Sequence, residues 1–191
     1  MSKFSIVLIA VLLFACRQNQ SNNAPIQAGP YIAQRYNEQT DQLAQSIIAQ
    51  YQQVLTGLRN QDSSYLMQST QNLMQLNTSL TTISLKVDTT IQQNWVTNLD
   101  NINAELTGLV AAITFSDLPE MRMSVHMTGL QLAHLLGQIG FKSHHIYLFQ
   151  SKDTKYEDGY FWLGLQKTAQ DPFHKNHKDV LSAYQILQEQ K

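Results

Sequence analysis

Apolar residues recur at steps of three and four along most of this chain, the spacing that sets side chains on one face of an α-helix. Leu43, Ile47, Tyr51, Val54, Leu55 and Leu58 form the first such stripe. Asn60-Gln61-Asp62 breaks it, and Asp62 or Ser63 is placed to cap the next helix. There Leu66, Leu73, Leu76, Leu80 and Ile83 make the second stripe, with Ser69 occupying the turn that lacks an apolar residue. A third helix, capped by Asp88, carries Ile91, Trp95, Ile102, Leu106, Leu109 and Ile113. Ser116 opens the fourth, where Pro119 is tolerated in the first turn. Leu118, Met121, Val125, Leu132, Leu136 and Ile139 lie along one line of that helix, and Gly140 is placed to stop it. Four stripes with short connections predict an all-α fold, an antiparallel four-helix bundle.

After Gly140 the pattern changes. Ile146-Tyr147-Leu148-Phe149 and Tyr160-Phe161-Trp162-Leu163 are aromatic and β-favouring, with a polar segment from Ser151 to Gly159 between them. They predict a short aromatic C-terminal hairpin, or an extended tail, packed on one end of the bundle. Asp171-Pro172-Phe173 is expected to turn, and Lys178 to Gln190 to form a short last helix.

The N-terminal end has a different logic. Lys3 precedes an almost unbroken apolar run from Phe4 to Phe14, and Leu13-Phe14-Ala15-Cys16 has the layout of a bacterial lipobox. The run is too short to span a bilayer as a helix. Residues 1–15 are therefore expected to be a lipoprotein signal peptide, with Cys16 lipidated as the first mature residue. An ordinary cleaved signal with an incidental cysteine is the alternative. Residues 16–36 are polar, contain Pro25, Gly29 and Pro30, and suit a flexible tether, leaving 37–191 as the domain. This layout places the protein in the bacterial cell envelope, anchored through Cys16 at the periplasmic face or in the outer membrane, with the membrane itself as a partner.

Composition removes several classes of function. Only 14% of residues are charged and the net charge is −1, so no basic field exists to attract nucleic acid. Cys16 is the one cysteine; once it carries lipid, no thiol remains for disulfides or metal. The chain has no nucleophile elbow, Gly-rich phosphate loop or His-Glu-x-x-His run, which argues against an enzyme. Haem attachment through Cys-x-x-Cys-His is likewise absent. Asp153, Glu157 and Asp158 read as a solvated acidic turn, since their spacing does not fit an EF-hand loop.

Histidine and methionine are unevenly placed: all six histidines follow Met121. Met123, Met127 and His134 share the face of the fourth helix opposite its apolar stripe, a chemically sensible soft-metal surface. The competing explanation is packing beneath the C-terminal tail, with methionine as gap filler. His144-His145 lies at the junction of helix and tail, and His174 and His177 are spaced to share a helical turn.

The succession Ile146-Tyr147, a polar turn, Gly159-Tyr160-Phe161-Trp162-Leu163 and Asp171-Pro172-Phe173 resembles a helical domain of unknown function of Bacteroidetes-type periplasmic lipoproteins. That domain also occurs fused to adaptor subunits of heavy-metal (copper/silver) efflux pumps. Leu118 to Gly140 resembles its last long helix, with Arg122 where the family usually has an arginine, and Trp95 resembles the tryptophan of its third helix. The similarity spans about residues 40–180. The family's Cys-Pro-Met falls at Ser151-Lys152-Asp153, and its late Met and Cys fall between Lys178 and Leu181, so this chain resembles a divergent member without the sulfur ligands. The resemblance implies a non-catalytic binding or accessory module, associated with heavy-metal handling or efflux through an envelope protein or efflux-complex partner. His144, His145, His174 and His177 lie near the lost ligands in sequence and are candidates for a replacement imidazole site for a Zn or Cu ion. The alternative is a protein-interaction scaffold domain with no metal or small-molecule ligand.

Overall fold

The computed structural model describes residues 38–82, 89–139, 146–151, 159–166, 170–173 and 180–185. Among the described residues four helices follow one another: α1 (Glu38–Asn60), α2 (Ser63–Thr81), α3 (Thr89–Thr114) and α4 (Leu118–Ile139). Three strands come after them among these residues: β1 (Tyr147–Ser151), β2 (Phe161–Gly164) and β3 (Val180–Gln185). Each helix packs on the next, and α4 also returns to α1.

The stripes become the core. Ile47, Tyr51, Val54, Leu55 and Leu58 of α1 are buried, and so are Leu66, Leu73 and Leu80 of α2, with Ser69 beside them. Trp95, Ile102, Leu106, Leu109 and Ile113 of α3 meet Met121, Val125, Leu132 and Leu136 of α4 in the same cluster. Removing one such side chain from water contributes about 1.5–3 kcal/mol. Leu43, Leu76 and Leu118 are half-buried at the margin. The expected cap at Asp88, the stripe residue Ile83 and the stop at Gly140 lie outside the described residues. Two polar groups fix the pairing of α2 with α3. Asn77, buried, donates from Nδ2 to the Leu99 carbonyl at 2.8 Å and to Asn103 Oδ1 at 2.9 Å. Trp95 Nε1 donates to the Leu80 carbonyl at 3.3 Å.

Both described helix-to-helix turns are built alike. Gln61 and Ser116 adopt φ 56°, in the left-handed region, and end α1 and α3. Their N–H groups, with those of the following aspartates, donate to the last carbonyls of the finished helix: Gln61 to Leu58, Asp62 to Gly57, Ser116 to Ile113, Asp117 to Ala112. Each aspartate then caps the new helix. Asp62 Oδ1 accepts from Tyr65 N at 2.9 Å, and Asp117 Oδ1 from Glu120 N at 3.2 Å. The opening residue of α4 is thus Asp117 rather than Ser116, whose backbone is committed to closing α3. At the first turn the helices also approach closely: a Cβ on Gly57 would lie 2.8 Å from Leu66 Cα.

The fold is mostly helical, as expected, but the tail adds more than a hairpin: it forms a three-stranded sheet of order β2-β1-β3. The hairpin part is as expected: β1 and β2 pair antiparallel, with Phe149 opposite Trp162. The third strand replaces the short last helix expected over Lys178 to Gln190. It pairs antiparallel with the far side of β1, Leu148 opposite Tyr184, with an irregularity at Gln150/Ser151. Unpaired N–H and C=O groups on β1 outweigh the helical preference of an Ala- and Gln-containing segment once the partner strand is in place. Aromatic packing stiffens the sheet. Phe149 stacks on Trp162 at 5.5 Å, Tyr160 on Phe173 at 4.7 Å, and Trp162 meets Phe173 edge-on at 5.8 Å. The expected turn at Asp171-Pro172-Phe173 is present, closed by a 2.7 Å bond from Phe173 N to Asp171 Oδ1.

Candidate functional site: a cleft between helix α1 and strand β2

Strand β2 is an edge strand, and helices seal its outer side. Phe161 N donates to His126 Nδ1 of α4 at 2.8 Å, and Gln52 Nε2 of α1 donates to the Leu163 carbonyl at 2.6 Å. The alternation of a strand turns both of these groups outward, where another strand would otherwise pair. His126 lies 5.9 Å from the Tyr160 ring, edge-on, and 5.6 Å from the Phe161 ring, tilted. Burial holds the His126 imidazole below its ordinary pKa. The Phe161 N–H can be accepted only by an unprotonated Nδ1, so the proton of the neutral ring sits on Nε2.

Beneath the strand, α1 and α4 are joined by Tyr51, whose hydroxyl donates to the Val125 carbonyl at 3.1 Å. Burial pushes the Tyr51 phenol far up, so it stays protonated and serves as a donor. Gly129 makes room for it: a Cβ there would meet the Tyr51 hydroxyl at 2.5 Å and the Phe161 carbonyl at 3.3 Å.

Beside this seam lies a cleft of about 650 Å³, within the range of small-molecule sites. Gln52, Leu55, Thr56 and Arg59 supply one wall, and their spacing of three, four and seven makes them a single face of α1. Trp162 to Gln166 supply the opposite wall, and Gln170 and Pro172 close one side. Arg59 Nη1 donates to Gln170 Oε1, which ties the helix to the segment after β2. Thr56 Oγ1 donates to the Gln52 carbonyl of its own helix at 2.8 Å. Among the described residues of the lining, Arg59 is the one charged side chain.

The residues singled out from sequence fare differently. Cys16, His144, His145, His174 and His177 lie outside the described residues. Met123, Met127 and His134 are half-buried on α4. At about 1.5 Å of rise per residue, Met123 and His134 are about 16 Å apart along the axis, so one ion does not reach all three. Among the described residues no group of three His, Cys, Asp or Glu is placed to hold a metal. Ser151 is buried and closes the hairpin: its Oγ accepts from Tyr160 N at 2.9 Å. No helix of the described residues is long and apolar enough to cross a membrane.

The cleft is not visible in the sequence. Its amides and single arginine form no motif, and its two walls, joined by the bond from Gln52 to Leu163, are 111 residues apart in the chain. The one available signal is the Gln52-Thr56-Arg59 row flanking the apolar stripe of α1. Comparison with protein-family models, with curated proteins and with solved structures finds no match to this chain.

Proposed function

We propose that the chain is a cell-envelope lipoprotein anchored through Cys16, whose domain is an antiparallel up-and-down helical bundle that binds its ligand without catalysis. The observation that carries this reading is the cleft between α1 and β2. Its lining is concave and mainly polar, with Gln52, Thr56 and Arg59 on the helix and Gln166 and Gln170 facing them, beside the apolar Leu55, Trp162, Leu165 and Pro172. Arg59, the charged side chain of that lining, offers a fork of N–H donors suited to holding a ligand. The resemblance to the Bacteroidetes-type lipoprotein domain supports a place beside heavy-metal handling or efflux. In that role His144, His145, His174 and His177 would supply imidazole ligands to Zn or Cu.

Titration of the full chain in detergent with Zn(II), Cu(II) and Cu(I) tests the metal part. A variant with those four histidines changed to alanine runs beside it. Stoichiometric binding that the variant loses would establish the imidazole site. Equal behaviour of parent and variant would remove it and leave the cleft as the seat of function.

A further inference from the structure

The groups lining the cleft are selective about what they accept. Arg59 brings a full positive charge, yet its hydrogen-bond partner is the neutral amide of Gln170. A guanidinium has five N–H donors in a fixed fork that matches a carboxylate or phosphate, so most of its donor capacity is uncommitted. Asp171, the neighbour of Gln170, accepts from Phe173 N in its own buried turn and is not part of the lining.

Charge number decides between the two anions. Arg59 stands in the last turn of α1, where the helix dipole is negative. That position suits the arginine but disfavours an incoming dianion, and the described lining has no second cation to offset it. A singly charged carboxylate is the better match. The amides narrow the choice further. Gln52 spends its Nε2 on the Leu163 carbonyl, which leaves its Oε1 to accept an N–H from a ligand. Gln166 and Gln170 add further amides, each both donor and acceptor. A fatty acid would leave these groups unpaired. Leu55, Leu165 and Pro172 provide apolar surface for a side chain.

We propose that the cleft takes a short peptide by its C-terminal end, with the carboxylate on Arg59, the last amide N–H on Gln52, and an apolar side chain over Leu55, Leu165 and Pro172. This rests on the assignment of the cleft as the ligand seat.

Calorimetric titration of the full chain in detergent tests it with three probes: N-acetyl-Ala-Leu with a free carboxylate, the same dipeptide as its C-terminal amide, and inorganic phosphate. The acid is expected to bind at least about tenfold more tightly than the amide, the scale of a lost charge-assisted pair. Arg59→Gln should erase that preference while leaving the thermal unfolding transition in place. Arg59→Lys, which keeps the charge and loses the fork, should restore part of it. Equal binding of acid and amide would overturn the carboxylate assignment and leave the cleft a binding site. Phosphate binding more tightly than the acid would overturn the argument from charge number. No heat from any of the three would overturn both the ligand class and the cleft as seat.

Discussion

Gly57→Ala sets helix propensity against packing, and the structure says which wins. In a helix interior alanine is favoured over glycine by about 1 kcal/mol. At this position, however, the new Cβ would lie 2.8 Å from Leu66 Cα and 2.9 Å from Leu66 N and Cβ. Carbon atoms rest at about 3.5–4.0 Å, so α1 and α2 must part by about 0.7 Å or more. The obstacle is mostly backbone of the facing helix and cannot rotate away. Overpacking of this kind costs about 1–3 kcal/mol, and with backbone in the way the upper end applies. After the propensity gain, a net loss of about 2 kcal/mol is expected, or about 4–8 °C in Tm for a chain of this size. Gly108→Ala is the matched control. There a Cβ meets only Ser124 Oγ at 3.4 Å, so propensity should prevail and stability should be unchanged or slightly raised. Urea and thermal unfolding of both variants, followed by circular dichroism, give the comparison. A Gly57→Ala protein as stable as its parent would refute the close approach of α1 and α2.

Gln61→Gly and Ser116→Gly should each raise stability by about 1 kcal/mol, because both positions hold a left-handed φ that costs a side-chain-bearing residue; a loss in urea unfolding would contradict the turn geometry. His126 should make folding sensitive to acid. Its folded pKa is lowered, so the unfolded chain takes up the proton first, near pH 6.5, and stability that is full above that value declines as pH falls through the window down to the folded pKa. His126→Gln, which can still accept from Phe161 N–H, should flatten that part of the unfolding free energy measured against pH; an unchanged slope would rule His126 out as its source. Metabolic labelling with an alkyne fatty acid should mark the parent chain and not Cys16→Ser, and equal label in both would end the case for lipidation at that residue.

How much of the fold is legible in the sequence depends on the range of the interactions. The apolar stripes of α1 to α4 are local patterns imposed by one large core, and they mark the helices with few errors. The first helix turn is also legible, since Asp62 caps in the expected place. At the second turn Ser116 and Asp117 are both good caps by type, and only the backbone bonds to Ile113 and Ala112 show that Ser116 belongs to the preceding helix. β3 reads as helix because Val180–Gln185 lacks strict alternation and contains Ala and Gln. What makes it a strand is its partner β1, about thirty residues earlier. The cleft is illegible for the same reason carried further. Arg59 and Gln170 are ordinary surface residues until the fold brings them together, and His126 stands in a histidine-rich region with nothing to distinguish it as the group sealing β2.

The seal on β2 also dictates an order of assembly. Gln52 and His126 are made long before Phe161 and Leu163, and a chain emerges from its ribosome N-terminus first. Helix pairs close in sequence can collapse early, whereas the seam between α1 and α4 waits for its lid. Until β1 and β2 arrive, the apolar flanks around Tyr51 and Val125 stand open to other chains. A nascent protein stalled after Ile139 should therefore be sticky in a way the finished one is not. A version truncated there should bind a hydrophobic dye and require a chaperone for solubility. Quality control of this domain would rest on the residues that follow α4, which bring Phe149 and Trp162 into its core and determine when that core is closed.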